Sequence, residues 1–126
     1  MKYRPLETLA RIAEIEYSSL IVQIDYLVAK LRILVKDGSF IDIWVSEKLS
    51  NRFGFHWERR HLDGKMFRYD NFPDTHWVNL TSFPFHFHQE YQENVIDAPF
   101  ARDIEDGFRD FLSFVKDYLE KRGEIV

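Results

Sequence analysis

Apolar residues follow a helical period at the two ends of the chain. Across residues 5–17 they recur three and four positions apart, with Pro5 where proline favours a helix start, which predicts a first amphipathic helix. A longer repeat near the C-terminus faces a charged stripe and predicts a second helix, capped by Asp103 and ended by Gly123. Its apolar stripe consists of Ile104, Phe108, Phe111, Leu112, Val115, Tyr118 and Leu119.

Between these helices the apolar period is two, as in half-buried strands. Odd-numbered positions are apolar, while charged residues such as Arg32 hold even positions. Upstream of Tyr26 the even positions are apolar instead, so we expect a bulge or bend near that residue. The odd-numbered apolar runs lie within residues 27–35, 41–45, 53–57 and 67–69.

Two Asp-Gly pairs, at residues 37–38 and 63–64, stand between strand-like runs and predict hairpins. A two-residue turn at the first pair would place odd positions opposite even ones. A three-residue turn, with glycine in its left-handed third position, instead pairs Ile33 with Ile41 and keeps one face apolar. The three-residue turn is therefore predicted.

The same turn at residues 62–64 predicts a register for the second hairpin that brings charged side chains together. It places His56 opposite Asp70 on the polar face. It also places Glu58 opposite Arg68. Such cross-strand pairs contribute a few tenths to about 1 kcal/mol each.

Together these patterns predict an α+β fold. We expect an antiparallel β-meander of about five to six strands, with the N- and C-terminal helices packed on its apolar face. A chain of 126 residues can bury one core, so a single α+β domain over residues 1–126 is expected. Pro84 cannot donate to a ladder, which predicts an edge strand or an extended loop around it.

Composition and charge exclude several classes of function. There is no cysteine, which rules out disulfides, thiolate nucleophiles and cysteine-ligated zinc sites. The formal net charge of -4 argues against broad electrostatic attraction to nucleic acid. Because no signal-peptide pattern and no run of about 20 apolar residues is present, we expect a cytoplasmic protein without a membrane partner.

The stretch FPFHFHQE, residues 83–90, carries the strongest chemical signal. Phenylalanine holds its odd positions through Phe87, so His86 and His88 point to the polar side of a strand formed here. Even positions of neighbouring strands add a carboxylate, a guanidinium and a third imidazole, from Asp70, Arg68 and His56. The predicted catalytic group is His86, His88, Asp70, His56 and Arg68.

This group suits proton transfer on RNA. The histidines could act as general base and acid on a ribose 2′-hydroxyl and its leaving oxygen, with Arg68 stabilising the phosphate charge. Asp70 could orient a histidine tautomer. A simpler alternative is a solvated sheet face with cross-strand ion pairs and two histidines hydrogen-bonded at its edge.

Metal binding is a second alternative. No cofactor is required by the sequence, but the His-x-His-x-Glu strand could supply three ligands, His86, His88 and Glu90, to a divalent metal such as zinc or manganese. The fourth ligand could be His76, Asp70 or Asp74.

Four residues are candidates for substrate binding. Lys30, Arg32 and Trp44 hold even positions and therefore belong to the polar face. Asn71 follows Asp70 directly before Phe72-Pro73, where asparagine also commonly caps a turn.

The order of three motifs resembles the TumE-like family of prokaryotic toxin-antitoxin proteins. The motifs are DGSFIDIW, RFGFHWERRHLDGKMFRYDNFP and TSFPFHFH, and the resemblance covers roughly residues 37–119. The family typically has Asp-Asn-x-Pro-His followed by Pro-His-His-Lys-His. The residues that fit this pattern are Asp70, Asn71, Pro73, Pro84, His86 and His88.

Two positions depart from the family pattern. Asp74 stands where the family tends to place histidine, with His76 two residues later, and Phe85 replaces the first histidine of the second motif. What the resemblance implies is a small toxin encoded with a cognate antitoxin as its partner, acting on RNA. If catalysis in the family depends on the replaced imidazoles, the catalytic activity of this chain would be weaker or would rely on His76.

Two functions from other classes compete with an RNA-directed toxin. One is a non-catalytic module that binds a protein or forms a homodimer through Trp44 and the charged pairs of the polar face. The other is a metal-dependent hydrolase with a His-x-His site at His86 and His88.

Overall fold

Seven antiparallel strands form one sheet in the computed structural model, which describes residues 4–124. Strands consecutive in the chain are neighbours throughout, so the sheet is a meander. The α+β prediction is confirmed, with seven strands where five to six were expected, because the short last strand lacks an alternating pattern. The strands are β1 (Ile21–Tyr26), β2 (Leu31–Val35), β3 (Phe40–Val45), β4 (Phe53–Arg59), β5 (Lys65–Asp70), β6 (His86–Glu90) and β7 (Val95–Asp97).

Both predicted helices are present. The Asp103 carboxylate accepts the Asp106 N–H at the start of the C-terminal helix, and Gly123, with φ of +70°, follows its last turn. Within residues 4–124 no helix combines the length and the apolar composition needed to cross a bilayer. The helical segments are α1 (Pro5–Glu16), the single turn α2 (Arg60–Asp63), α3 (Ile104–Lys121) and a 3₁₀ turn (Thr75–Trp77).

The helices α1 and α3 pack on the face of the sheet that carries the odd-numbered residues. Phe55 of β4 is fully buried, and its ring centroid lies 5.3 Å from that of Phe108 and 5.9 Å from that of Phe111. Leu9 and Ala13 of α1 belong to the same core. Aromatic pairs of this geometry contribute about 0.5–1.5 kcal/mol beyond their buried area. The opposite face of the sheet is therefore left for polar side chains.

The first hairpin has the predicted register. Ile33 pairs with Ile41, and a three-residue turn connects Val35 with Ser39. Gly38 holds the third position of this turn with φ of +94°, a conformation that disfavours any residue with a β-carbon. The predicted pairing of odd positions is confirmed.

The second hairpin does not have the predicted register. His56 pairs with Arg68 and not with Asp70, a shift of two residues. The connection consists of five residues, because α2 precedes Gly64, whose φ of +79° ends that helical turn. A shift of two leaves each side chain on its predicted face but changes its neighbours.

Arg59 explains the longer connection. Its side chain is 1% exposed, its Nε donates to Asp63 at 3.0 Å, and its Nη1 donates to Asp37 in the turn of the first hairpin. The guanidinium also lies over the rings of Trp57 and Tyr118, 4.8 and 5.2 Å from their centroids. Burial disfavours this charge, yet the bonds to the two carboxylates raise the pKa of Arg59 above its ordinary value. Arg59 thus joins the two hairpin turns.

The connection between β1 and β2 also differs from expectation. Residues 27–30 form a turn and not the start of a strand, and their even number changes the parity, so that Ile24 pairs with Ile33. The bulge expected near Tyr26 lies at the other end of β1, beside Ile21. The parity change was therefore predicted, but its cause is the length of a turn.

Pro84 does not place its strand at the edge of the sheet. β6 lies between β5 and β7, and the expectation of an edge strand is wrong because Pro84 lies two residues before the strand begins. No ladder bond needs its missing N–H. Phe87 is buried in the core as predicted, and Phe85 packs against that core partly buried.

Replacing Asp37 by asparagine should lower the free energy of unfolding by about 3 kcal/mol, because it removes one carboxylate from the buried Arg59 charge. Asparagine keeps the side-chain oxygen that accepts the Ser39 N–H, so the turn itself should persist. Urea unfolding of both proteins measures the difference.

The control for this experiment is Asp117→Asn, on an exposed position of α3. It should change the free energy of unfolding by less than about 0.5 kcal/mol. Equal, small effects of the two substitutions would show that Arg59 does not depend on Asp37.

Candidate functional site

The polar face of the sheet brings the predicted site residues onto two adjacent cross-strand rows. Because successive ladders pair residues of the same parity, candidates far apart in the sequence become neighbours. The first row runs through Asp42, His56, Arg68 and His88, and the second through Trp44, Gly54, Asp70 and His86. All five predicted catalytic residues lie on these two rows.

Asp70 is the centre of the site. Its side chain is 4% exposed, and its Oδ2 accepts a hydrogen bond from Nε of Arg68 at 2.7 Å. Its Oδ1 accepts the Phe72 N–H at 3.0 Å and lies 3.1 Å from Nε2 of His86. A buried carboxylate is stable only with such partners. Asp70 therefore holds β5, β6 and the following loop in one arrangement.

Gly54 makes room for the Arg68 side chain. A β-carbon at this position would lie 2.8 Å from Nη2 of Arg68, closer than a β-carbon packs against another atom. The guanidinium therefore crosses the strand at the one residue without a side chain. This placement directs Arg68 toward Asp70.

His86 faces an acceptor on each side of its ring. Nδ1 lies 3.0 Å from the Pro84 carbonyl oxygen, which can only accept, so Nδ1 carries a proton. Nε2 faces the Asp70 carboxylate at 3.1 Å. Nε2 of His86 and the Asp70 carboxylate are therefore adjacent in the buried centre of the site.

His88 is held differently. Its Nδ1 donates to the Gln92 carbonyl oxygen at 2.7 Å, and burial lowers its pKa below the ordinary value, which favours the neutral ring. Nε2 then keeps its lone pair. The two ring centroids are 5.1 Å apart. Two buried imidazoles with different hydrogen-bond partners thus lie side by side.

The turn after β6 sets the position of His88. Glu90 has φ of +71°, which is uncommon for a residue other than glycine, and the chain folds back so that Gln92 reaches His88. Glu90 itself pairs with Lys65 at 3.3 Å. The alternation along the strand had placed Glu90 beside the histidines, but its carboxylate contacts Lys65 instead.

A cleft of about 240 Å³ opens beside the two histidines. Trp77, from the 3₁₀ turn, has its ring centroid 6.3 Å from that of each imidazole. Sequence reasoning missed Trp77 and Gln92, because neither belongs to a periodic pattern. The only hint is a large aromatic residue within a predicted loop. The cleft is lined by Arg68, Asp70, Phe72, Asp74, Trp77, His86, His88 and Gln92.

His56 lies one strand away from this cleft. It stands opposite Arg68, whereas the predicted partner Asp70 stands opposite Gly54. Its Nε2 lies 3.0 Å from Glu58, and burial lowers its pKa despite this contact. Hydrogen bonds from Arg60 above all lower the pKa of Glu58 to about 2. His56 belongs to a separate ion-pair group.

The predicted substrate-binding residues are occupied by other contacts. Lys30 and Arg32 both bind the Asp42 carboxylate, at 2.8 and 2.7 Å. Trp44 stacks on Phe72, with ring centroids 5.1 Å apart, and so borders the cleft indirectly.

Asn71 lies at the junction of two strands. Its Oδ1 accepts the Phe53 N–H at 3.0 Å, and its amide nitrogen donates to the Asn51 carbonyl oxygen. It is buried and does not line the cleft. In the structure its side chain ties the loop after β5 to the start of β4, and these bonds do not cap a local turn.

One group of side chains could hold a metal ion, and its composition differs from the predicted one. Asp70, His86 and His88 each offer one ligand atom, all within 4.8 Å of one another. His76 lies outside this group, because its ring is exposed and its Nδ1 contacts Asp74 at 2.8 Å. The register of β5 against β6 supplies Asp70 in its place.

Comparison with known proteins gives one match. The sequence model of the family described as Toxin TumE matches residues 8–119 of this chain. No curated protein and no solved structure matches it. The matched range includes every residue of the cleft.

Gly54→Ala should displace Arg68 from Asp70, because the new β-carbon needs the space of the guanidinium. The lost charge-assisted hydrogen bond should lower the free energy of unfolding by about 2 kcal/mol. A double-mutant cycle measured by urea unfolding checks this. In an Arg68→Ala background the same substitution should cost less than about 0.5 kcal/mol. Equal costs in both backgrounds would contradict the predicted displacement.

His56 should make the protein less stable in acid. Because burial lowers its pKa from the ordinary 6.5, the unfolded chain binds a proton that the folded chain does not, and stability falls as pH decreases below that value. The variant His56→Gln should therefore lose less free energy of unfolding between pH 7.5 and pH 5.5 than the parent protein. Urea unfolding at both pH values measures this. Identical losses would show that His56 does not contribute.

Proposed function

The chain belongs to the TumE toxin family, and from this premise we propose that it is the toxin component of a toxin-antitoxin pair and acts on RNA in the cleft beside His86 and His88. The observation that carries the proposal is the pairing of two adjacent buried imidazoles in different surroundings, His86 beside the Asp70 carboxylate and His88 beside the Gln92 carbonyl oxygen. A cognate antitoxin is the protein partner that membership in this family suggests.

The two rings suit a transfer of RNA's own 2′-hydroxyl onto the adjacent phosphate. Nε2 of His88 accepts the proton of the 2′-hydroxyl as its oxygen forms a bond to phosphorus. The bond from phosphorus to the 5′-oxygen breaks, and that oxygen takes the proton from Nε2 of His86. The products are a 2′,3′-cyclic phosphate and a 5′-hydroxyl end.

Arg68 and Asp70 support these steps in different ways. Arg68 lines the cleft and carries a fixed positive charge that would stabilise the charge developing on the phosphate. Asp70 lies 3.1 Å from Nε2 of His86, where its carboxylate would orient the ring for donation of a proton. Asp70 is therefore a positioning residue.

The size and the walls of the cleft favour single-stranded RNA. The imidazoles of His86 and His88 are 3% and 4% exposed, so a phosphate reaches them only by entering a cleft of about 240 Å³. An unpaired nucleotide fits such an entrance better than a duplex. Trp77 and Phe72 offer aromatic surfaces on which a base could stack.

The distribution of charge favours RNA binding inside the cleft over binding along the protein surface. The net charge is -4, and the basic residues Arg32 and Arg60 of the polar face are paired with carboxylates. Such a surface provides little of the long-range attraction that phosphate-binding proteins use. Binding would then depend on contacts with the few nucleotides at the cleft.

A cleavage assay with single-stranded RNA tests the proposal. His86→Gln and His88→Gln should each reduce cleavage by at least about 100-fold, because each removes one proton-transfer group. A substrate with 2′-deoxyribose at the cleaved position should resist the parent protein. The matched control is His61→Gln, since His61 is exposed and contacts the Gly38 carbonyl oxygen away from the cleft.

Three outcomes would contradict the proposal. Equal cleavage by the parent protein and the His88→Gln variant would remove this residue from the reaction. Cleavage of the deoxyribose substrate would exclude the 2′-hydroxyl as the nucleophile. Loss of cleavage in EDTA would show that a cation takes part and that proton transfer to and from RNA by the two histidines is not sufficient.

A further inference from the structure

We propose that Asp70, His86 and His88 form a binding site for one divalent transition-metal cation such as Zn²⁺. Each side chain offers one ligand atom, and these atoms lie within 4.8 Å of one another. All three residues are buried, at 2%, 3% and 4% exposure. Two imidazoles and one carboxylate constitute a frequent ligand set of zinc sites that keep an open position.

The contacts around the two rings support this assignment. Nδ1 of His86 donates to the Pro84 carbonyl oxygen, and Nδ1 of His88 donates to the Gln92 carbonyl oxygen. Metal-binding histidines almost always use one nitrogen in this way, which fixes the ring and leaves the other nitrogen for the metal. Nε2 of His86 lies 3.1 Å from Oδ1 of Asp70, and the Nδ1 contact of His88 leaves its Nε2 available to a cation.

The carboxylate is fixed as firmly as the rings. Oδ2 of Asp70 accepts from Arg68 at 2.7 Å, and its Oδ1 accepts the Phe72 N–H at 3.0 Å. Asp70 and His86 are also directly paired across β5 and β6. The three ligands thus stand on adjacent strands and not on a mobile loop, which favours a preformed site.

The ligand types select among cations. Imidazole nitrogen suits zinc, copper, iron and nickel, whereas magnesium and calcium prefer oxygen ligands alone. The chain contains no cysteine, so no thiolate competes for zinc elsewhere. The cleft beside the histidines leaves the site open to a cation entering from solvent.

Neighbouring histidines do not share this arrangement. Nε2 of His56 contacts Glu58, and His76 contacts Asp74 on the exposed side of the loop. Among the residues that the structure describes, the group of Asp70, His86 and His88 alone meets the distance requirement for three ligands. The inference therefore predicts one cation per chain.

Occupancy of this site would affect the proposed reaction, and this consequence rests on the proposed function. A bound cation engages Nε2 of both histidines, which are the atoms that would accept and donate protons. Zinc should therefore inhibit RNA cleavage, and EDTA should restore it. Faster cleavage on addition of zinc would overturn this consequence.

Cation binding can be measured without RNA, so a protein that binds no zinc can be distinguished from one that does not cleave RNA. Isothermal titration of the EDTA-treated protein with ZnCl₂ should give one site per chain, and Co²⁺ bound there should show the visible absorption of a low-coordinate complex. His88→Gln and Asp70→Asn should each weaken zinc binding at least about tenfold. MgCl₂ should give no comparable binding.

The control is again His61→Gln, which should bind zinc within about twofold of the parent protein, since His61 offers no ligand to this group. Circular dichroism of each metal-free variant establishes that it is folded. If Asp70→Asn fails to fold, the His88→Gln variant still decides the question. Unchanged zinc binding by folded His88→Gln, or no binding by the parent protein, would overturn the proposal.

Discussion

The alternation of side chains along the strands is the constraint on which the rest of this structure depends. Four successive ladders, from β2 to β6, pair residues of the same parity, so one face of the sheet collects the apolar positions. The two long helices cover that face and bury its aromatic rings. Because successive residues point to opposite faces, the imidazoles and carboxylates between those rings must collect on the other side.

The buried Asp70 carboxylate turns this collection into a defined site. Removing a carboxylate from water is costly, and here hydrogen bonds from Arg68 and the Phe72 N–H offset the cost, while Nε2 of His86 lies 3.1 Å away. These three groups come from β5, β6 and the loop that follows β5. The same contacts that stabilise the carboxylate therefore set the orientation of His86, and chemistry and local stability depend on one group.

Elsewhere on the polar face the charges neutralise one another. Asp42 binds Lys30 and Arg32, and Glu58 binds Arg60. Such pairs stabilise the sheet modestly and leave little uncompensated positive charge. The proposed recognition of RNA therefore relies on the cleft, which Trp77 and the two histidines line, and not on a broad basic surface.

The sequence by itself determined those features that depend on residues close together in the chain. The helix ends at Asp103 and Gly123, the turn at Gly38 and the common side of His86 and His88 were all predictable, because each follows from local conformation or from alternation. The tertiary structure alone decided the rest. In the second hairpin, Arg59 binds Asp37, which lies 22 positions away. The residue that joins His86 and His88 is Asp70 and not His76, because Asp70 lies on β5, which pairs with β6. Contacts between distant segments depend on the packing of the whole sheet, and no local pattern encodes them.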